Sequence, residues 1–371
     1  MNKRFFLLII MFITNFYAYA QIVSDDTLSS VNILIGPDYQ IGADLGQQRG
    51  GNLFHSFQDF NLNSLESATF SGPAHIQNVI NRITGKNPSN IDGLLRSTIP
   101  NANLYFLNPF GIIFGPNFQL DIQGAFHVGA SSSILFKDGT EFNGLNPTSS
   151  LTVAPVESFG FLSGDIRVIT SQVSPFEGKD LSLIADNIYL ENGAQVGSVS
   201  FSEIKAGNIY IRSNLLELSG EFESFPSGIF SSGFSIGDAG DIRINSNEII
   251  LRNGGLIAAD NFTTGLAGNI SIRSQTIKMI GQAPGGYGSA IITTSTDGDG
   301  KGIDIQTKTV SILNGGQILK HSTPIEATKE IEGQIWTKII ERDELEEMEA
   351  TYKVLSSNYN QDNTLNIRVH A

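Results

Sequence analysis

The chain contains no cysteine, which excludes a disulfide framework, a cysteine-based zinc site and a thiol nucleophile. Histidine occurs only five times, and no two histidines stand two or four positions apart. We therefore expect no metal site, and nothing else in the sequence calls for a cofactor. Charged residues make up only 16% of the chain and hydrophobic residues 40%, so a packed core is expected and extensive disorder is not.

Basic residues are also scarce. Lysine and arginine together number 23, against 37 aspartates and glutamates, which gives a formal net charge of −14. Because binding to a phosphate backbone needs clustered lysine and arginine, we expect no nucleic-acid partner. An acidic surface is otherwise an ordinary means of keeping a protein soluble.

Long apolar runs are absent except at the N-terminus. There Lys3 and Arg4 precede an unbroken apolar stretch from Phe5 to Ile13, and Ala18-Tyr19-Ala20 supplies a small-x-small cleavage site. This order is typical of a signal peptide, which we assign to residues 1–20. The apolar stretch is shorter than the ~20 residues that span a bilayer, so we predict an exported mature chain without a transmembrane segment.

What the sequence does contain is a repeat. From residue 181 onward, two apolar residues at i and i+2 are followed by two more at i+7 and i+9. The i, i+2 spacing places each pair on one face of a short strand. Shorter and longer steps between copies alternate, which gives a double-coil period of about 61 residues. The copies are Leu181, Leu183, Ile188, Leu190; Ile209, Ile211, Leu216, Leu218; Ile242, Ile244, Ile249, Leu251; Ile270, Ile272, Ile277, Met279; and Ile303, Ile305, Val310, Ile312.

Alternate copies end differently. The first, third and fifth continue with Asn-Gly and a third apolar strand, whereas the other two carry the excursions Glu221 to Ser227 and Gln282 to Gly288. Three short strands in a stretch of about 30 residues are typical of one coil of a β-helix, and coils must stack to share a core. We predict an all-β protein, a right-handed parallel β-helix with three short strands per coil. The alternative, an antiparallel sandwich, gives no reason for a fixed period.

The chain divides around this repeat. Residues 21–170 are rich in strand and turn signals, residues 171–322 hold the coil repeats, and residues 323–371 form an acidic tail. We expect the tail to provide a short helical or irregular cap for the last coil, or to fray. Within the N-terminal part, Ile76 to Ile83 is predicted to form a short helix.

Three segments of the N-terminal part stand out by their motifs. They are Gly51 to Leu62, Asn87 to Gly93, and Leu107 to Phe126, the last of which contains Asn108-Pro109-Phe110-Gly111-Ile112. In this order they resemble the secretion domain of two-partner secretion exoproteins, the haemagglutination-activity domain of filamentous haemagglutinin and its relatives. The resemblance covers roughly residues 30 to 165. Phe110 departs from it, because the family signature has a second Asn there.

The resemblance implies that the protein crosses the outer membrane unfolded, through a dedicated partner barrel whose periplasmic domains bind the secretion domain, and then folds outside into a β-helix. It further implies a protein secreted from a Gram-negative bacterium or held at its surface, with an adhesive role toward host cells or surface glycans and no catalysis. The residues that it marks for the secretion motif and partner recognition are Asn52, His55, Phe60, Asn61, Asn108, Pro109, Gly111 and Ile112.

The segment from Asn108 to Ile112 also has a structural interpretation that does not depend on the resemblance. Pro109 fixes φ at about −65° and Gly111 allows positive φ, so the segment is predicted to be a tight turn between strands. Asn108 can cap that turn through its side chain. The turn either only shapes the fold or also contacts the partner, and both can hold together.

Candidate catalytic groups are few. His55 and Ser56 are neighbours on a predicted strand and point to opposite faces, so a triad with Asp59 is not expected. Asp297-Gly298-Asp299-Gly300 lacks the full spacing of a calcium loop and is interpreted as a surface turn. An exported carbohydrate-active lyase or hydrolase remains the alternative function, and its candidate groups are the outward pairs Asp165 with Arg167 and Asp241 with Arg243.

Overall fold

The computed structural model describes residues 22–147, 150–286, 288–296, 302–322, 355–357 and 365–369. In these ranges the regular secondary structure is strand, apart from one short 3-10 helix at Ala43–Leu45. The signal peptide predicted for residues 1–20, the turn at Asp297 to Gly300 and most of the tail lie outside the described residues. Within the described ranges, no helix has the length and apolarity needed to cross a membrane.

The strands stack as a parallel β-helix with three strands per coil, which confirms the predicted fold class. The first face consists of parallel strands paired in succession: β4 (Asn52–Phe60), β6 (Asn78–Ile83), β9 (Asn103–Leu107), β12 (Phe126–Gly129), β18 (Leu181–Ile184), β21 (Ile209–Ser219), β25 (Ile242–Arg252), β27 (Ile270–Arg273), β30 (Ile303–Thr307) and β34 (Leu365–Val369).

The second face is a parallel column that shares the long strands β21 and β25 with the first. Its other members are β7 (Ser89–Ile91), β10 (Ile112–Phe114), β16 (Asp165–Ile169), β19 (Asn187–Glu191), β28 (Thr276–Ile280) and β31 (Thr309–Leu313).

The third face is made of two separate parallel sheets. The N-terminal sheet contains β2 (Asp38–Ile41), β5 (Ser67–Phe70), β8 (Leu94–Ser97) and β11 (Gln119–Asp121). The C-terminal sheet contains β17 (Gln172–Val173), β20 (Gln195–Ser200), β24 (Gly228–Gly233), β26 (Leu256–Asn261), β29 (Ala290–Ser295), β32 (Gln317–Ser322) and β33 (Leu355–Ser357).

The register of the repeat is the predicted one. Leu181 pairs with Ile209, Ile209 with Ile242, Ile242 with Ile270 and Ile270 with Ile303. All five side chains are buried, and they belong to one core cluster that extends from Ile22 to Ile318. The two predicted parts of the β-helix, on either side of residue 170, therefore share a continuous core.

The Asn-Gly pairs of the repeat form turns, and their backbone conformation explains why these two residue types occur there. In the first, third and fifth copies the Asn-Gly pair adopts positive φ at both residues, for example 55° at Asn192 and 79° at Gly193. Asparagine and glycine tolerate this left-handed conformation best, and each turn leads into a third-face strand. The excursion at Glu221 to Ser227 is a small hairpin of β22 (Glu221–Phe222) and β23 (Phe225–Pro226).

The polar residues between the two apolar pairs of a copy belong to one continuous strand in two coils, β21 and β25. Its inward serines stack, since Ser213 donates to the Ser246 hydroxyl at 2.9 Å. Its outward amides stack as well, since Asn247 donates to the side-chain carbonyl of Asn214 at 2.7 Å. These ladders satisfy polar groups that a bend in the chain would otherwise leave unpaired.

The prediction of a short helix from Ile76 to Ile83 is wrong. Strand β6 occupies Asn78–Ile83 and pairs in parallel with β4 on one side and β9 on the other. Val79 and Ile83 point into the core cluster. Ladder hydrogen bonds on both edges and burial on both faces outweigh the local pattern, which is how tertiary context overrides propensity.

Antiparallel elements cover the first coils. Strands β1 (Ile22–Ser24) and β3 (Gln47–Arg49) pair with β4. A separate sheet, the covering sheet, consists of β13 (Ser133–Phe136), β14 (Glu141–Asn143) and β15 (Val156–Phe159). Its apolar side chains form a second core cluster with outward residues of the first face, which are Phe54, Ile80, Leu107 and Ile184.

Candidate functional site

The three segments with secretion-family motifs come together on one side of the first coils. The second motif lies on β7 beside β10, directly after the turn of the third motif. The first motif joins them where Asn61 accepts a hydrogen bond from the backbone N–H of Asn90 at 2.9 Å. We call the residues Asn61, Asn87, Ser89, Asn90 and Asn108 the asparagine flank.

Asn108 is the centre of the asparagine flank. Its side-chain N–H groups donate to the carbonyl of Asn87 at 2.9 Å and to the hydroxyl of Ser89 at 3.0 Å. Its side-chain carbonyl accepts from the N–H of Phe110 at 2.9 Å, and its main-chain carbonyl accepts from Gly111 at 3.1 Å. This confirms the prediction of a tight turn that Asn108 caps.

The other residues of the turn differ in their structural roles. Gly111 has a φ of 114°, and a Cβ there would lie 3.0 Å from the carbonyl oxygen of Asp165. The carbonyl of Pro109 accepts from the Ser163 hydroxyl at 2.9 Å. Ile112 is fully buried and starts β10. Phe110, the position that departs from the family signature, is partly exposed.

The first motif divides between the interior and the outer face of the coil. Strand alternation turns His55 inward, where its ring packs 5.6 Å from Phe70 and 6.1 Å from Phe57. Phe60 is buried in the same aromatic group, 5.0 Å from Phe106. Neither side chain is available to a partner of the folded protein.

Burial controls the charge of His55. Removal from water lowers the pKa of His55 to about 4, against smaller opposing effects of the Gly42 carbonyl, the Asn81 side chain and the Asp44 carboxylate. The ring nitrogen Nε2 lies 3.2 Å from the Gly42 oxygen, which makes it the donor. His55 is therefore neutral at physiological pH and acts as a packed core residue.

Asn52 has a different structural role, on the outer face. It donates to the carbonyls of Thr152 at 3.1 Å and Ala154 at 2.8 Å, a hundred residues further along the chain. Its side-chain carbonyl accepts from Asn78, whose own carbonyl accepts from Asn103. This ladder holds the loop before β15 against the first three coils.

The sequence analysis missed Arg82, the largest fully buried side chain among the described residues. It donates to the hydroxyls of Ser56 and Thr27 at 2.8 Å each and to the carbonyl of Asn143 at 3.0 Å. Burial lowers its pKa to about 10, against the opposing charge of Asp25. The only signal in the sequence was an arginine next to the apolar residues Val79, Ile80 and Ile83 of β6.

Of the candidate catalytic groups, the structure brings together only Asp241 and Arg243. His55 contacts Gly42, whereas the Ser56 hydroxyl donates to Asp25 at 2.6 Å, so the two neighbours point to opposite faces. Asp165 accepts from Asn187 on the next coil at 2.8 Å. The candidate partner of Asp165, Arg167, instead pairs with Glu191 at 3.0 Å, while Asp241 and Arg243 do lie together at 3.4 Å.

Comparison with known proteins places this site within a matched region. The model of the TPS secretion domain matches residues 20–248, which is more than half of the chain. Among solved structures, the chain is similar to the HMW1 secretion domain from Haemophilus influenzae, with 14% identity, a TM-score of 0.33, and coverage of 75% of this chain and 92% of that one. No curated protein matches the chain. The matched region contains the whole asparagine flank.

Proposed function

Because the chain belongs to the TPS secretion domain family, and is thus an exoprotein that a Gram-negative bacterium secretes through a two-partner system, we propose that the turn from Asn108 to Ile112 is what its partner outer-membrane transporter recognises. The observation that carries this proposal is the locality of the turn. Its two closing hydrogen bonds join Asn108 to Phe110 and to Gly111, so both bonds lie within four consecutive residues.

Locality matters because the chain is recognised before it has folded. A four-residue turn that has proline as its second residue and glycine as its last can form transiently in an unfolded chain. In contrast, Asn52 finds its partner only once distant segments have packed, since Thr152 lies a hundred residues away. His55 is a core residue, packed between coils against Phe57 and Phe70. We therefore assign Asn108, Pro109 and Gly111 to recognition, and Asn52, His55 and Phe60 to folding after export.

The test compares Asn108→Ala with Asn52→Ala in a bacterium that carries or lacks the transporter gene. Each variant loses buried hydrogen bonds in the folded state, so the two are matched for folding. We expect Asn108→Ala to reduce both capture by the transporter and release into the medium. Asn52→Ala should be captured like the unchanged chain. Equal capture of the two variants, or release without the transporter, would contradict the assignment.

For the exported molecule we propose binding to cell surfaces or glycans without catalysis. The TPS secretion domain family is not catalytic. Of the carboxylates considered for an enzyme, Asp165 opens β16 on the second face, and Asp241 precedes β25 on the first. Since they lie on different faces and three strands apart, they do not form the carboxylate pair that a glycosidase needs.

The experiment adds the purified chain to cells and to polysaccharides. Saturable binding without release of reducing sugar supports the proposal. Release of sugar that falls in Asp165→Asn or Asp241→Asn would instead support the alternative, an exported lyase or hydrolase.

A further inference from the structure

A groove of about 450 Å³ lies on the outward side of the first face, over β18, β21, β25, β27 and β30. It begins where the covering sheet ends, because Ile184 is the last first-face residue in the core cluster that contains Phe159. The side chains that give the groove its character are Ile184, Tyr210, Arg212, Arg243, Arg273 and Asp304.

Strand alternation and register fix the arrangement of the three arginines. Arg212 stands opposite Asn245, which stands opposite Arg273, so the two arginines share a column two strands apart, roughly 10 Å. Arg243 lies in the adjacent column, between Tyr210 and Ser271. The three guanidinium groups therefore surround the floor of the groove from different strands.

Arg212 is held in place and partly desolvated. One terminal nitrogen donates to the carbonyls of Phe159 and Gly160, at 2.7 Å each. Its Nε is buried and has no hydrogen-bond partner in the part of the chain that the structure describes. Burial also lowers the pKa of Arg212. A buried donor without a partner costs free energy unless a ligand accepts its hydrogen bond.

The charges of the groove differ from those of the surrounding surface. Elsewhere on the strands, an outward arginine pairs with a carboxylate of a neighbouring coil, as Arg167 does with Glu191 and Arg252 with Glu217. In the groove Arg243 pairs with Asp241 at 3.4 Å, but neither Arg212 nor Arg273 forms an ion pair with a residue whose side chain is described. The groove thus concentrates positive charge in a chain with a net charge of −14.

We propose that this groove binds a uronic-acid unit of an acidic polysaccharide. The guanidinium group of Arg273 takes the carboxylate of this unit, since a planar fork matches a carboxylate in a two-point contact. Arg212, whose Nη2 already donates to the carbonyls of Phe159 and Gly160, contributes positive charge and its remaining N–H groups. Tyr210 and Ile184 supply apolar surface for the sugar ring. A nucleic acid fits less well, because it needs a continuous basic stripe rather than one pocket on an acidic protein. The inference rests on the proposed surface-binding function and names its ligand class.

The test is calorimetric titration of the purified full-length secreted chain with tetragalacturonate, cellotetraose, inorganic sulfate and a single-stranded oligonucleotide. We expect tetragalacturonate to bind and cellotetraose not to bind. Arg273→Gln should weaken binding about tenfold, which is the effect of losing one charge-assisted contact. Arg273→Lys should restore part of the affinity, because it keeps the charge but not the fork.

Arg96→Gln is the matched control. Arg96 lies on β8 of the third face and pairs with Asp121, so the same change of charge is made away from the groove. Affinity unchanged by Arg273→Gln, equal loss in Arg96→Gln, equal binding of cellotetraose, or competition by sulfate or the oligonucleotide at similar concentration would each overturn the inference. Saturable binding to cells without binding to tetragalacturonate would overturn this inference and leave the proposed surface binding intact, so the two failures are distinguishable.

Discussion

The buried histidine His55 predicts a specific dependence of stability on pH. In the folded protein its pKa is lowered to about 4 by burial, whereas the ordinary value is 6.5. Between these two values the unfolded chain binds a proton that the folded chain does not bind. The free energy of unfolding therefore falls as the pH is lowered through this window. The contribution of the neutral His55 to stability is complete only above the pKa of the unfolded chain.

The magnitude follows from the two pKa values. Proton linkage gives a loss of about 2 kcal/mol of stability for His55 between roughly pH 7.5 and pH 5. His127 adds a similar loss, since burial lowers its pKa to about 4 as well. His127 packs 4.5 Å from the Tyr105 ring and lies 2.9 Å from the Ser182 hydroxyl.

The assay is urea unfolding of the secreted chain at the two pH values, with and without His55→Gln. The substitution destabilises the protein at both pH values, so the informative quantity is the change in unfolding free energy between them. We expect that change to be smaller in His55→Gln by about 2 kcal/mol. The matched control is His75→Gln, at an exposed histidine that contacts Gln48. If His55→Gln and the unchanged protein lose equal stability on acidification, the neutral interior position of His55 is refuted.

Two further predictions concern the turn and the core. Gly111→Ala should lower the free energy of unfolding by about 1–3 kcal/mol, because alanine is strained at this positive φ and its Cβ would lie 3.0 Å from the Asp165 oxygen. Gly139 also has a positive φ, but open space surrounds it, so Gly139→Ala should cost less in the same thermal-melt series. Ile249→Ala on β25 should lower the free energy of unfolding in urea by about 2–5 kcal/mol, since the side chain is fully buried. The side chain of Ile236 is 56% exposed, so Ile236→Ala should change that free energy by about 0.5 kcal/mol or less. Equal losses within either pair would contradict the assignment of strain or burial.

Local regularities explain how much of the fold could be predicted from one chain. Alternation at i and i+2 reports which side chains face the core, so the pairing of Leu181 with Ile209 and of Ile209 with Ile242 could be predicted from spacing. The turn at Asn108 could be predicted as well, because proline, glycine and asparagine restrict the backbone within four residues. The eight candidate residues were marked by resemblance, which carries no information on which of them are buried.

Contacts between distant segments were beyond the sequence. The helix expected at Ile76 to Ile83 became strand β6 because β4 and β9 flank it, and neither neighbour is visible from the local pattern. For the same reason the role of Arg82 was missed, since its partners Thr27 and Asn143 lie 55 and 61 residues away.

The sequence by itself thus determined the coil, its three strands and the Asn-Gly turns, because side-chain alternation and permitted φ values are properties of a few adjacent residues. The tertiary structure alone decided which coil surfaces meet. It joined Asn61, Asn90 and Asn108 into one flank, and it placed Arg212 and Arg273 beside a groove. The physical reason is that these arrangements depend on stacking order and on the position of the covering sheet, and no short stretch of chain encodes either one.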